Sequence, residues 1–157
     1  MENQLSILSE SLSQKIEILR QIEELNEEQT QAFSGEEADV EKFDHAFEEK
    51  DRLIDQLERL DEGFELLYDR LADELKENRL RYRSQISVIQ EKIREITERS
   101  VSIQAQEARN KKLVEDYLVK ARAGIRQNRQ NSKAAYDYYR NMSGASYRIS
   151  SSWDSKQ

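Results

Sequence analysis

One apolar stripe, which runs almost unbroken through the second half of the chain, most constrains the fold. Its positions follow one another at alternating steps of four and three residues, the a/d spacing of a heptad, and the chain contains no proline. The stripe consists of Tyr82, Ile86, Ile89, Ile93, Ile96, Ser100, Ile103, Glu107, Asn110, Val114, Tyr117, Ala121 and Gly124. Such a seam presents a long helical surface to other helices, so helix recognition is favoured over catalysis.

Two further stripes predict two more helices in the first half. The first is Leu5, Leu8, Leu12, Ile16, Leu19, Ile22, Asn26, Gln29 and Phe33. The second is Val40, Phe43, Phe47, Lys50, Ile54, Leu57, Leu60, Phe64, Leu67, Leu71 and Leu75. We expect helices at about 3–32, 38–76 and 82–131, with a turn at 33–38. Ser34 followed by Glu37 fits a capping box there, and Asp39 is a second N-cap candidate.

The junction between the second and third helices is less clearly marked. Residues 75–79 contain no glycine, proline or hydroxyl cap, so one continuous helix is the alternative. Such a helix of about 90 residues would be about 140 Å long and would leave half its seam without a partner. We therefore expect a reversal near 76–82. Gly63, inside the second helix, costs about 1 kcal/mol relative to alanine and marks a kink, a close-packing point or a tolerated glycine.

These patterns predict an all-α protein: an elongated antiparallel helical hairpin or three-helix coiled-coil bundle. The bundle should cover residues 1–142. We expect a disordered tail at 143–157, because six serines and little apolar bulk cannot offset the entropy of ordering the chain.

The net charge of −7 conceals a strong asymmetry between the two halves. Residues 1–78 carry 24 acidic and 8 basic side chains, whereas residues 79–157 carry 8 acidic and 17 basic ones. Acidic helices should therefore pair with the basic one inside the bundle. The same asymmetry suits head-to-tail or antiparallel dimers, so the sequence is compatible with a homodimer as well as with a monomer.

Several classes of function lack the residues that they need. The chain has no cysteine, no signal peptide is evident at its N-terminus, and no apolar run is long enough for a membrane span. We expect a cytoplasmic protein with no cofactor, no direct membrane insertion and no catalytic residues. His45 lies among acidic residues, but Lys42 stands where a Glu-x-x-His metal motif needs its glutamate, so a solvated histidine and no metal site are expected.

Two polar or aromatic features invite a functional interpretation. Asn110 occupies a seam position, where a polar residue commonly fixes register or oligomeric state; an ordinary polar interruption is the alternative. Tyr136, Tyr138 and Tyr139 lie among basic residues. Stacking on nucleic-acid bases would use such residues, but the acidic first half disfavours that partner. A segment that folds back on the bundle, or one that docks on another protein, fits better.

Four stretches have the form of motifs found together in one family. Phe43 to Ile54 is similar to a glutamate, lysine, two residues, leucine motif, and Leu57 to Phe64 is similar to the leucine-aspartate stretch that follows it. Ala108 to Leu113 resembles an asparagine motif of the third helix, and Tyr136 to Gly144 resembles a tyrosine-to-glycine tail with looser spacing. Through these stretches the chain resembles the small flagellar type III export chaperones of the FlgN type, including a variant named after the related FliT chaperone.

The resemblance implies a cytoplasmic, all-helical chaperone. Such chaperones bind the terminal helices of hook–filament junction or filament-cap proteins, prevent premature assembly and deliver these clients to the membrane export gate. A client helix would lay its apolar face into a seam that the chaperone leaves open. The alternative is a structural coiled-coil scaffold or dimeric spacer with no export client.

The expected lengths of the helices suggest where a client would bind. Helices of about 30 and 40 residues cannot cover a third of about 50 residues along its whole seam. The expected client-binding residues, at the uncovered end of that seam, are Val114, Tyr117, Leu118, Ala121 and Ile125. Tyr136, Tyr138 and Tyr139, just beyond, would hold the client or touch the export gate.

Overall fold

The computed structural model of the chain describes residues 2–124, 137 and 140. It contains three helices: α1 (Glu2–Ala32), α2 (Val40–Glu77) and α3 (Arg83–Gly124). The described part of the chain has no strand, and the predicted all-α three-helix bundle is confirmed. The predicted continuation of the third helix to 131 and the predicted disordered tail at 143–157 lie outside the described residues.

The N-terminus of α2 is capped by the second of the two N-cap candidates in the sequence. Asp39 is the N-cap of α2, and its Oδ1 accepts a hydrogen bond of 3.0 Å from the backbone N–H of Lys42. The Ser34 hydroxyl instead donates backwards to the carbonyl of Gln31, at 2.9 Å. The predicted capping box at Ser34 and Glu37 is therefore wrong, because α2 begins a few residues later than a helix capped by Ser34 would begin.

The chain reverses a second time between Glu77 and Arg83, so the continuous-helix alternative is wrong. Asn78 ends α2: its backbone N–H and its side-chain Nδ2 both donate to the carbonyl of Glu74, at 3.1 and 2.9 Å. Tyr82 then turns inward and is buried, with the Arg81 guanidinium 5.4 Å from its ring centroid. A side-chain cap and a buried aromatic thus make a turn for which the sequence provides no glycine or proline.

Helix α1 is the central element and packs against both of the others. It runs antiparallel to α2, because Lys15 contacts Asp61 whereas the later Gln29 contacts the earlier Lys50. It runs parallel to α3, because Ser9 contacts Lys92 and Asn26 contacts Asn110. The acidic α1 and the basic α3 are joined by the ion pairs Glu23–Arg99, at 3.0 Å, and Glu27–Arg109, at 2.6 Å. These pairs have the polarity that the charge asymmetry of the sequence predicts.

The apolar core has two parts. The main core runs from Leu5 and Tyr82 at one end of the bundle to Ile22 and Ile103. A smaller group, here called the upper cluster, lies at the end with the α1–α2 turn. The upper cluster consists of buried Ala32, Phe43, Val114 and Leu118 with partly buried Phe33, Phe47 and Tyr117.

Candidate functional site

The end of α3 extends past the end of α1. The Thr30 hydroxyl donates to Asn110 Oδ1 at 2.6 Å, which places these two residues at the same level of the bundle. Two residues later α1 ends at Ala32, whereas α3 continues to Gly124. About a dozen residues of α3, or about 18 Å, therefore lie beyond α1. We call residues 113–124 the overhang.

The first turn of the overhang is covered by the α1–α2 turn and the start of α2. Phe33 packs edge-on against Phe43, with ring centroids 5.0 Å apart, and lies 5.4 Å from the ring of Tyr117. Val114 is 0% exposed and Leu118 is 5% exposed beneath these rings. The expectation of an uncovered seam is therefore wrong at Val114 and Leu118, because the aromatic residues of the turn cover what α1 itself does not reach.

The other predicted client-binding residues have different surroundings. Tyr117 and Ala121 are half-buried, so each keeps some surface for a partner. Val119, which has no place in the heptad seam, is 64% exposed and adds apolar surface to the overhang. Ile125, Tyr136, Tyr138 and Tyr139 lie outside the described residues.

Asn110 belongs to a buried polar layer that separates the main core from the upper cluster. Its side chain donates to the carbonyl of Asn26 at 3.0 Å and accepts from Thr30. Asn26 in turn donates to Gln106 Oε1 at 3.1 Å. These bonds join α1 to α3 in one register, which is the geometry that a register-fixing residue needs; the role itself remains a prediction.

The same layer contains a buried ion pair that the sequence analysis did not identify. Lys50 of α2 is 0% exposed, and its Nζ lies 3.0 Å from Oε1 of Glu107 on α3. Nζ also donates to Gln29 Oε1 at 3.1 Å, and Gln29 Nε2 donates to the carbonyl of Phe43 at 3.3 Å. The pair thus links all three helices.

Burial dominates the electrostatics of this pair. It lowers the pKa of Lys50 and raises the pKa of Glu107, and the attraction between the two groups opposes both shifts without overcoming them. Within the described residues no hydrogen-bond donor reaches the second oxygen, Glu107 Oε2. The layer is therefore costly to form, and it does not add stability as an apolar layer would.

A signal for this pair was present in the sequence. Lys50 and Glu107 both occupy seam positions of their stripes, where an unpaired buried charge would be strongly destabilising, so each needed a partner on another helix.

A second buried ion pair, Lys15–Asp61, lies in the main core at 2.8 Å with both side chains less than a tenth exposed. Lys50, Asp61 and Asn110 come from three stretches that carry the resemblance, and all three are buried here.

No metal-binding arrangement appears in the part of the chain that the structure describes. His45 is exposed, and no three His, Asp or Glu side chains of the described residues are grouped to hold a metal ion. None of the described helices combines the length and apolar character that crossing a membrane requires.

These features define a helical-bundle protein whose surfaces suit other helices, with α3 offering a partly uncovered end. The family model described as FlgN protein matches residues 1–142. The chain therefore belongs to the FlgN family and is a flagellar export chaperone that binds flagellar export substrates. The comparisons with curated proteins and with solved structures give no match.

Proposed function

We propose that this chaperone binds the terminal helices of hook–filament junction proteins, or of the filament-cap protein, in the cytoplasm. Bound clients are kept from assembling prematurely and are delivered to the flagellar export gate. The observation that carries the proposal is the overhang, because a helix end without a neighbour along its full length can accept an amphipathic helix.

The half-buried seam residues of the overhang are the proposed contacts. Tyr117 and Ala121 keep accessible surface in the bundle, and Ile125 lies four residues after Ala121 in the sequence. Val114 and Leu118 would contact a client only if the aromatic rings of the α1–α2 turn move aside. The polar layer next to the upper cluster favours such a movement, since this small cluster is not continuous with the main core.

Two alanines of the overhang allow a matched test. Ala121 is a half-buried seam residue, and Ala123, about 200° further around α3, is exposed and lies off the seam. We expect Ala121→Asp to weaken binding of a purified hook–filament junction protein at least about tenfold, which corresponds to about 1.4 kcal/mol. Ala123→Asp should bind like the parent. Equal affinities of all three proteins, measured by titration calorimetry, would move the client site away from the overhang.

The tyrosines beyond the overhang are proposed to hold the client or to dock on the export gate. Replacing Tyr136, Tyr138 and Tyr139 together by alanine should leave thermal unfolding of the bundle unchanged. Loss of client binding would assign these residues to the client, whereas loss of secretion with client still bound would assign them to the gate. Normal binding and normal secretion by the triple variant would contradict both roles.

A further inference from the structure

Gly63 has no structural explanation within the described fold. It lies in the middle of α2 with an ordinary negative φ, and a Cβ atom added there would meet no atom within 4 Å. Glycine in a helix interior lowers helix stability relative to alanine. Nothing on the neighbouring helices lies where a Cβ of residue 63 would need room, so the cost is not offset by a close approach inside the bundle.

The open space at Gly63 belongs to an apolar groove between α1 and α2. The groove has a volume of about 560 Å³. Buried Leu8 and Phe64 form its floor, and Ile7 at its edge is 58% exposed although it is a large apolar residue. Its lining is completed by Ser6, Glu10, Ser11, Gln14, Arg59, Leu60, Gly63 and Leu67.

The charge around the groove indicates what could occupy it. The charged residues of the lining, Glu10 and Arg59, balance each other. Around the groove, residues 55–70 of α2 carry six acidic and two basic side chains, and residues 2–17 of α1 carry three acidic and one basic. A basic segment would be attracted to this surface, and an acidic one would be repelled. The groove lies near the N-terminus of α1, which is the end of the bundle opposite to the overhang.

We propose that this groove docks a basic amphipathic helix of a partner protein. The apolar face of the partner would cover Ile7, Leu60 and Leu67, and its lysine or arginine residues would face the acidic surfaces of α1 and α2. The missing Cβ at Gly63 lets the partner backbone approach α2 closely. This site is separate from the overhang, so it stands whether or not clients bind there.

The test uses the full chain and two labelled peptide probes of about 18 residues, or about five helical turns. One probe has leucine and alanine on one face and lysine elsewhere; the matched probe has glutamate in place of each lysine. Gly63→Leu fills the groove, and Ser102→Leu adds the same side chain at an exposed position of α3. Binding is measured by fluorescence anisotropy at low and moderate salt.

The lysine probe should bind the parent at least about tenfold more tightly than the glutamate probe, and salt should weaken it. Gly63→Leu should lose that binding at least about tenfold, whereas Ser102→Leu should retain it. Gly63→Ala should raise the melting temperature by about 2–4 °C, because alanine is the better helix former and clashes with nothing. That result would show that folding does not require glycine at this position.

Four results would overturn the proposal. The first two are absence of lysine-probe binding and equal binding by the parent and Gly63→Leu. A self-association of the parent that Gly63→Leu abolishes, seen by sedimentation equilibrium, would assign the groove to a second copy of the chain. Competition by a peptide of residues 125–157 would assign it to this chain's own C-terminal segment.

Discussion

Lys50→Met should destabilise the bundle strongly, because it leaves a buried carboxylate without its cation. Lys50 is 0% exposed, Glu107 is 5% exposed, and Lys50 Nζ lies 3.0 Å from Glu107 Oε1. Removing one partner of a buried ion pair costs about 3–5 kcal/mol. For a domain of this size each kcal/mol lowers the melting temperature by about 2–4 °C, so a loss of about 6–20 °C is expected.

The loss should depend on pH with a definite sign. Burial already raises the pKa of Glu107 above its ordinary 4.5, and removal of Lys50 takes away the attraction that opposes this shift. The folded state then binds more protons than the unfolded state between pH 4.5 and the raised pKa. Stability is therefore lost as the pH rises through that window, so Lys50→Met should be closer to the parent at about pH 5 than at about pH 8.

Thermal and urea unfolding followed by circular dichroism measure both effects. The double variant Lys50→Met/Glu107→Leu should recover most of the loss, since apolar replacements of buried ion pairs are often neutral or stabilising. A single variant that melts within about 2 °C of the parent at neutral pH would refute the reasoning, because a shift that small corresponds to less than about 1 kcal/mol. A loss independent of pH would show that Glu107 is not the group left uncompensated.

The remaining predictions concern the core, the upper cluster and the register. Ile96→Asp places a charge at a position that is 0% exposed and should unfold the bundle in circular-dichroism melts, whereas Val101→Asp, at an exposed position, should melt within a few degrees of the parent. Phe43→Ala should cost about 3–5 kcal/mol and remove amide-exchange protection first at Val114 and its neighbours, not at Ile96; uniform loss would show that the two cores are one unit. Asn110→Leu should increase self-association in sedimentation equilibrium, and an unchanged mass would argue against a register role.

The sequence predicts the fold well because each helix carries one unambiguous periodic stripe. The α1–α2 turn is marked by Gly35, and the observed helix bounds lie within two residues of the predicted ones where both ends are described. The reversal after Glu77 was inferred from the length of seam that a continuous helix would leave bare. Its actual cause is the Asn78 side-chain cap, followed by the inward Tyr82. Asparagine commonly ends helices, so Asn78 was the signal in the sequence that the search for glycine, proline and hydroxyl caps passed over.

The surroundings of the candidate site are harder to predict, because periodicity assigns a residue to a face without saying what covers it. Val114 and Leu118 have the spacing of a helix-binding surface, and they have the same spacing as a core. Their burial depends on Phe33 and Phe43, which reach across from a turn whose path no helical pattern specifies. Val119 lies off the seam, and its exposure became visible only with the packing of α3.

The buried polar layer offers a physical reason why α3, which holds the bundle together, is also suited to carry the proposed client site. On the N-terminal side of the layer, α3 contributes apolar residues such as Ile96 and Ile103 to the main core. Loss of the packing between α3 and this core would unfold the protein. Beyond the layer, Asn110 and Glu107 separate the overhang from that core. A partner helix that displaces the aromatic rings of the upper cluster would then break a small group of contacts and leave the main core intact. Binding and release at this end could proceed without unfolding the chaperone.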